Sequence, residues 1–380
     1  MEQSCLILAG EKSGEDHAMT FMRQLVATCP AVKFFGVGGE QLSQMGVELQ
    51  YHLKDFSSWG IGEVIGKIPF YFKAMNHLIS EVDRRGCKVA ILVDFQDFNL
   101  RLAMKLKGRG VNVLYYVAPQ AWGWRPGRAA VLGRTVHTLF TLIPFEKEWF
   151  RSRGVDRTVG VVHPVKIEHA REFENSKFML QQKKLGTKKK ILILPGSRNF
   201  EVRNLLPHFM QTIDRLSKNH ELEISLVRTS SVEDRYYERF LKRFNRVYQD
   251  SELVEALKDC HVALAASGTV TLTCAVFGVP TVACYQAALT TEFVFNNIAN
   301  YSGYMCLANI VHEAEVFPEH IQYDVQAPIL ARDLEKWLTS NDEYERIKSR
   351  LLQTVDKISG EDIDIPSYMQ RVIKESYANA

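Results

Sequence analysis

Three stretches of the chain hold residues whose types and spacing can do chemistry. In VDFQDFN (93–99) an apolar run ends at Asp94, and Asp97 and Asn99 follow on the turn. A carboxylate just past a strand end can serve as a general base if its neighbours tune it. The same Asp97 can instead cap the helix that NLRLAMKL begins. In ILILPGSR (191–198) and ALAASGT (263–269) a glycine turn follows an apolar run and opens a segment patterned like a helix. Such junctions aim backbone N–H groups and a helix N-terminus at one point, which suits a phosphate. Arg198 follows Gly196 and Ser197 and can brace that phosphate through a two-pronged contact, unless Glu201 claims it. Ser267, Gly268 and Thr269 form the second turn. Neither turn has the spacing of a nucleoside-triphosphate loop or of a dinucleotide fingerprint, so the expected anion is a diphosphate leaving group. A weaker turn of the same kind, AGEKSGED, puts Ser13 and Gly14 at the start of a helix.

Those turns need a scaffold, and the apolar pattern supplies one. CLILAG (5–10), KFFGVGG (33–39), VAILVD (89–94), VNVLYYVAP (111–119) and HTLFTLIP (137–144) read as short buried strands with amphipathic stretches between them. The pattern dissolves across the polar stretch 166–190, read as an interdomain connection. It restarts with ILILPG (191–196), EISLVRT (223–229), HVALAAS (261–267) and PTVACY (280–285). Alternation of strand and helix implies βαβ units and parallel sheets. The expected fold is α/β, two Rossmann-like lobes facing across a cleft, with ligands outside the carboxyl ends of the strands. At 380 residues, 46% hydrophobic and 24% charged, the chain is long enough for two such cores.

Composition narrows the partners. No apolar run approaches the ~18–20 residues that span a bilayer, and the acidic start MEQSCLILAGEKSGED does not read as a secretory signal. Seven cysteines without a CxxC pair read as free buried thiols in a reducing compartment. No His/Cys/Asp cluster has metal-ligand spacing, so neither a metal nor a cofactor is expected. His163, just before a proline, reads as a hinge or packing residue. No acidic residue occurs between Asp97 and Glu146, where Arg101, Lys105, Lys107, Arg109, Arg125, Arg128 and Arg134 lie among Tyr and Trp. With no recognisable nucleic-acid module, this stretch reads as a surface for a membrane or a phosphorylated lipid, or as a solvated helix face beside buried aromatics. The segment WGIGEVIGKIPFYF (59–72) is either core or an interfacial element. As an interfacial element it would set Trp59, Ile61, Ile65, Ile68, Phe70 and Phe72 among acyl chains, with Lys67 at the phosphates.

In order along the chain, LAGEKSGE, FFGVGG, WGIGEVIGKIP, VDFQDFN, YYVAPQAWGWR, IPFEKEWF, LPGSRNFEV, AASGTVTLTC and LANIV resemble the lipid-A-disaccharide synthases. The resemblance implies a GT-B glycosyltransferase with an acceptor and lipid lobe at 1–170 and a UDP-sugar lobe at 186–345. Terminal helices at 346–380 would cross back to the first lobe. It implies inverting transfer from UDP-2,3-diacylglucosamine to 2,3-diacylglucosamine 1-phosphate on the cytoplasmic face of the inner membrane, with the protein held peripherally. Carried over by residue, Asp97 would be the base. Gly196, Ser197, Arg198, Ser267, Gly268, Thr269 and Asn309 would meet the UDP donor, and Ser13, Gly14 and Asn99 would shape the acceptor-lobe turn. Trp59, Ile65, Lys67 and Phe72 would contact lipid. The chain departs from the family at Thr273, where a ribose-binding glutamate is usual, at Glu40, and at Lys12 and Glu15. Two other readings remain open: a UDP-N-acetylglucosamine 2-epimerase-like enzyme, and a non-catalytic lipid- or nucleotide-binding protein.

Overall fold

Apolar runs of about five residues, closed by Gly, Pro or Asp, can be buried on both faces only in a sheet covered by helices. The computed structural model describes residues 3–56, 61–286 and 303–378, and it divides into two units. The first comprises Met1–Pro164 with Gly360–Ala380, and the second Val165–Ser359.

The first unit carries strands β1 (Gln3–Ala9), β2 (Val32–Gly38), β3 (Glu48–His52), β4 (Val89–Val93), β5 (Asn112–Tyr116), β6 (Thr138–Thr141) and β7 (Thr158–Gly160). They pair in the order β3-β2-β1-β4-β5-β6-β7, every pair parallel. The second unit repeats the plan with β8 (Lys189–Leu194), β9 (Leu222–Arg228), β10 (Arg246–Gln249), β11 (Val262–Ala266), β12 (Thr281–Tyr285) and β13 (Glu319–Ile321), ordered β10-β9-β8-β11-β12-β13. Chain direction across each sheet reverses between β1 and β4 and between β8 and β11. These are the switch points at which loops leave toward opposite faces and open a crevice.

Two helical segments differ from the sequence reading. The polar stretch after His163 is no connector, because Pro164–Gln182 is a helix of 19 residues. Its buried stripe is Val165, His169, Phe173, Ser176 and Leu180, a helical spacing concealed by its two polar members. The return to the first unit begins at Gly360 rather than at 346. The helix Asn341–Leu351 stays with the second core, where Tyr344 is buried and Lys348 donates to the carbonyls of Gln181 and Lys183. Gly360 has φ +65, and a Cβ there would stand 2.3 Å from the Val161 carbonyl carbon, so only glycine makes this approach. Glu361 then accepts from the Gly160 N–H at 2.7 Å and pairs with Lys147.

The last helix, Ile365–Ala378, buries Met369, Val372 and Ile373 in the same cluster as Cys5, Ile7 and Ile91. At its end the Tyr377 hydroxyl accepts from the N–H groups of Ser4 and Lys88 and donates to the Ser4 carbonyl at 2.6 Å. One phenol thus ties the terminal helix to two neighbouring strands. Replacing it by phenylalanine leaves three backbone groups without this partner, so Tyr377→Phe should cost about 1–3 kcal/mol in urea unfolding monitored on the first unit. An unchanged midpoint would show that the tie is energetically neutral.

Candidate active site

In the second unit, β8 and β11 are hydrogen-bonded neighbours, with Leu194 opposite Ala265. This pairing brings both glycine turns to one cavity of about 480 Å³, lined by Gly196, Ser197, Arg198, Ser267, Gly268 and Thr269. Arg228, Thr229, Asp250 and Leu253 complete its wall. Gly196 sits at φ +116, and a Cβ there would lie 2.4 Å from a Glu201 carboxylate oxygen. The turn is therefore built around Glu201, which accepts from the Ser197 N–H at 2.9 Å and from Arg198 at 3.1 Å. Of the two readings of Arg198, the pairing with Glu201 is the one realised here. The guanidinium nonetheless remains 60% exposed beside the cavity. A carboxylate on these donors shows the turn's preference for an anion.

Two donor-site expectations change. Asn309 is fully buried and spends its whole amide on the backbone and Glu319. Its Oδ1 accepts from Val316 and Phe317, and its Nδ2 donates to the Phe317 carbonyl and to Glu319. It holds a turn and lines no wall of the cavity. Thr273 is also buried, its hydroxyl turned back to the Thr269 carbonyl at 3.5 Å. Asp250 and Glu201, not position 273, bring carboxylates to this cavity.

In the first unit, β1 and β4 bring AGEKSGED beside VDFQDFN. Asp94 and Phe95 both have positive φ, +51° and +45°, a rare conformation for such residues that turns the chain sharply before helix Gln96–Lys107. Asn99 is buried and braces this corner through the carbonyls of Val93 and Asp94, so it is framework. Gly14 is buried against β4, whereas Ser13 is exposed and its hydroxyl lies 3.4 Å from the Asp94 carboxylate. Glu15, read from sequence only as a departure, is buried and accepts from the N–H groups of Gly39 and Leu42, capping the helix Glu40–Gln44.

The two aspartates have different environments. Burial pushes the Asp94 carboxyl above its ordinary range, an effect the nearby His17 partly offsets. Asp97 is 69% exposed, and its Oδ1 takes Arg125 at 3.1 Å and Arg128 at 2.5 Å. No bond to its Oδ2 occurs among the described residues. Both carboxylates line a cavity of about 880 Å³ whose apolar wall is Ile68, Tyr71, Phe72, Met75, Phe95 and Phe98. Of that wall the sequence reading named Ile68 and Phe72 as acyl contacts and missed Met75, Phe95 and Phe98, which only packing brings to them. Its only signal was the apolar segment 59–72.

Of that segment, Trp59 and the side chains of Ile61 and Ile65 lie outside the described residues. Helix Ile61–Arg84 exposes Ile68 and Phe72, at 44% and 53%. Phe70 turns inward against Tyr51 and Phe56, and Lys67 donates to the Asp55 carbonyl at 3.0 Å instead of standing free. Among the described residues no metal-binding cluster occurs, and all seven cysteines are buried and unpaired.

The loop that brings Arg125 to Asp97 is anchored by a buried acid. Glu146 is 2% exposed, accepts from the Trp122 indole at 2.9 Å and from the Ile143 N–H at 3.2 Å, and burial pushes its pKa up to about 7. Since the folded pKa lies above the unfolded 4.5, the folded state keeps a proton there that the unfolded state releases. The stabilisation is complete below pH 4.5 and is lost as pH rises toward 7. Relative to Glu146→Gln, the wild-type unfolding free energy should fall over that interval by at most about 3 kcal/mol. Parallel pH profiles in urea unfolding would refute this assignment.

Known proteins resemble this chain in both sequence and fold. Residues 5–367 match the family described as lipid-A-disaccharide synthetase. The lipid-A-disaccharide synthase of Myxococcus xanthus is 34% identical over 343 residues, which cover 88% of each chain. The crystal structure of the glycotransferase of kitacinnamycin superposes with a TM-score of 0.58 at 12% identity over 99% of each chain. UDP-GlcNAc 2-epimerase of Neisseria meningitidis, bound to UDP-GlcNAc, does so at 0.51 and 10% identity over the whole of both chains. These likenesses show the fold, two parallel-sheet Rossmann-like domains of the kind found in glycosyltransferases and epimerases. With a family match spanning nearly the whole sequence, the chain belongs to the lipid-A-disaccharide synthetase family.

Proposed function

We propose that the protein joins UDP-2,3-diacylglucosamine to 2,3-diacylglucosamine 1-phosphate, releasing UDP and lipid A disaccharide 1-phosphate. The observation that carries this reading is the pair of unlike cavities, one at each sheet's switch point. One is lined by backbone donors and Arg198, the other by an apolar wall beside two carboxylates. In the first, diphosphate oxygens replace those of Glu201 at Ser197 and Arg198, and they gain charge as the glycosyl bond breaks. Once Glu201 is displaced, these donors hold fixed positions from which they stabilise that charge. In the second, Asp97 takes the proton of the acceptor's primary hydroxyl as that oxygen attacks the anomeric carbon, with inversion. Arg125 and Arg128 orient Asp97 through Oδ1, leaving Oδ2 to receive the proton.

Mass spectrometry of the products from the two lipids tests the reading: a disaccharide 1-phosphate plus UDP is expected. An epimerase would return an isomerised sugar nucleotide, and a binding protein would return the lipids unchanged. Asp97→Asn should retain UDP binding and lose at least ~10²-fold in turnover. If Asp94→Asn causes that loss and Asp97→Asn does not, the base is Asp94.

The protein works at the cytoplasmic surface of the inner membrane, held peripherally. No described helix is long and apolar enough to cross a bilayer. Ile68, Phe72 and Met104 are exposed on two packed helices, and the latter helix also exposes Arg101, Lys105 and Lys107. Each such cation contributes about 1 kcal/mol near an anionic surface and is screened over roughly 10 Å. The protein should sediment with vesicles containing anionic lipid at low salt, less so at high salt, and Phe72→Asp should weaken the binding. Retention in the supernatant at low salt rules this surface out.

A further inference from the structure

The apolar cavity of the first unit contains a cation that the proton transfer does not use. Arg101 lines it from helix Gln96–Lys107, one turn beyond Asp97. Residues four apart on a helix are neighbours, so Asp97 and Arg101 would ordinarily pair. They do not, because Arg125 and Arg128 already hold Asp97. No carboxylate pairs with Arg101 among the described residues, and its side chain is exposed. Asp94 and Glu11 also line this cavity, but both belong to loops at the strand ends. Arg101 stands five residues into its helix, roughly 7 Å along the axis from Gln96. An uncompensated guanidinium therefore lies beside the wall of Ile68, Tyr71, Phe72, Met75 and Phe98, displaced from the strand-end acids. The ligand that satisfies both features is an amphiphile with acyl chains and one phosphate.

We propose that Arg101 recognises the 1-phosphate of the acyl-sugar acceptor and thereby sets which end of that sugar faces Asp97. The proposal rests on the acceptor reading given above. A guanidinium binds a phosphate through paired N–H donors, and a lysine offers only a point charge. Arg101 is thus a specificity residue for the acceptor and has no part in holding the donor.

The test compares 2,3-diacylglucosamine 1-phosphate with its dephosphorylated form, both in neutral detergent micelles so that surface charge plays no part. Arg101→Ala should lower kcat/KM for the phosphorylated acceptor about 10- to 100-fold and leave KM for the UDP-sugar unchanged. The variant should lose nothing comparable on the dephosphorylated acceptor, and Arg101→Lys should recover part of the loss. Equal losses on both acceptors, or none on either, overturn the proposal. Equilibrium binding of the same two lipids to wild type and Arg101→Ala separates this from the reaction itself. If wild type forms no disaccharide yet binds the phosphorylated lipid in an Arg101-dependent way, the reaction reading fails and the recognition stands. If that binding is independent of Arg101, the recognition fails whatever the reaction. Excess inorganic phosphate should not displace the lipid; full displacement would identify a free-phosphate site and overturn the proposal.

Discussion

Everything the protein does with its side chains depends on the pairing of two parallel strands at a switch point. β1 beside β4, and β8 beside β11, are the two places where successive loops depart toward opposite faces of a sheet. Parallel strands satisfy their own N–H and C=O groups along the ladder, but the turns beyond them do not, and the helices that follow begin with unpaired donors. A crevice walled by such donors attracts an anion or a carboxylate. The second unit shows this directly, for Glu201 occupies the donors of the Gly196 turn. Around β1 and β4 the same crevice holds Ser13 and Asp94.

Environment then gives chemically identical groups different roles. Four carboxylates illustrate this within the first unit. Glu15 is buried on two backbone N–H groups and caps a helix. Glu146 is buried on an indole and one N–H, and its proton affinity rises. Asp94 is raised by burial at a strained corner. Asp97 is open to solvent but held by two guanidinia. Only the last combines exposure, orientation and an oxygen left over, and one of the guanidinia that orient it, Arg125, follows a segment fixed by Glu146 through Trp122. Arg101 completes the set, because its charge is uncompensated only where Arg125 and Arg128 occupy its natural partner.

Residues resembling ligand contacts in sequence proved in several cases to be framework. Asn309 and Asn99 each hold a turn by bonding to backbone carbonyls, and Gly14 lets a helix pack against a strand. A motif comprises both the groups that touch a ligand and those that shape the turn, and their one-letter pattern does not distinguish them. Burial does: both amides lie inside the turn they hold, and that of Asn309 has every bond already made and nothing left for a substrate.

By itself the sequence determined the α/β class, the central strands, the glycine turns at their ends and the family. Central parallel strands are buried on both faces, so CLILAG, VAILVD, ILILPG and HVALAAS had to be continuous apolar runs. Three of the four described edge strands were not legible for the converse reason. β3, β10 and β13 read ELQYH, RVYQ and EHI and are largely half-buried or exposed, so no apolar run marks them. Helix Pro164–Gln182 escaped because its buried stripe includes His169 and Ser176. Tertiary structure alone decided which of several candidate groups reach a cavity, because that depends on neighbours from other elements. Examples are Arg125 and Arg128 against Asp97, and helix Ile61–Arg84 against Phe95 and Phe98. Local spacing records the period of one element, whereas a site is made where several elements meet, and only the packed chain fixes that meeting.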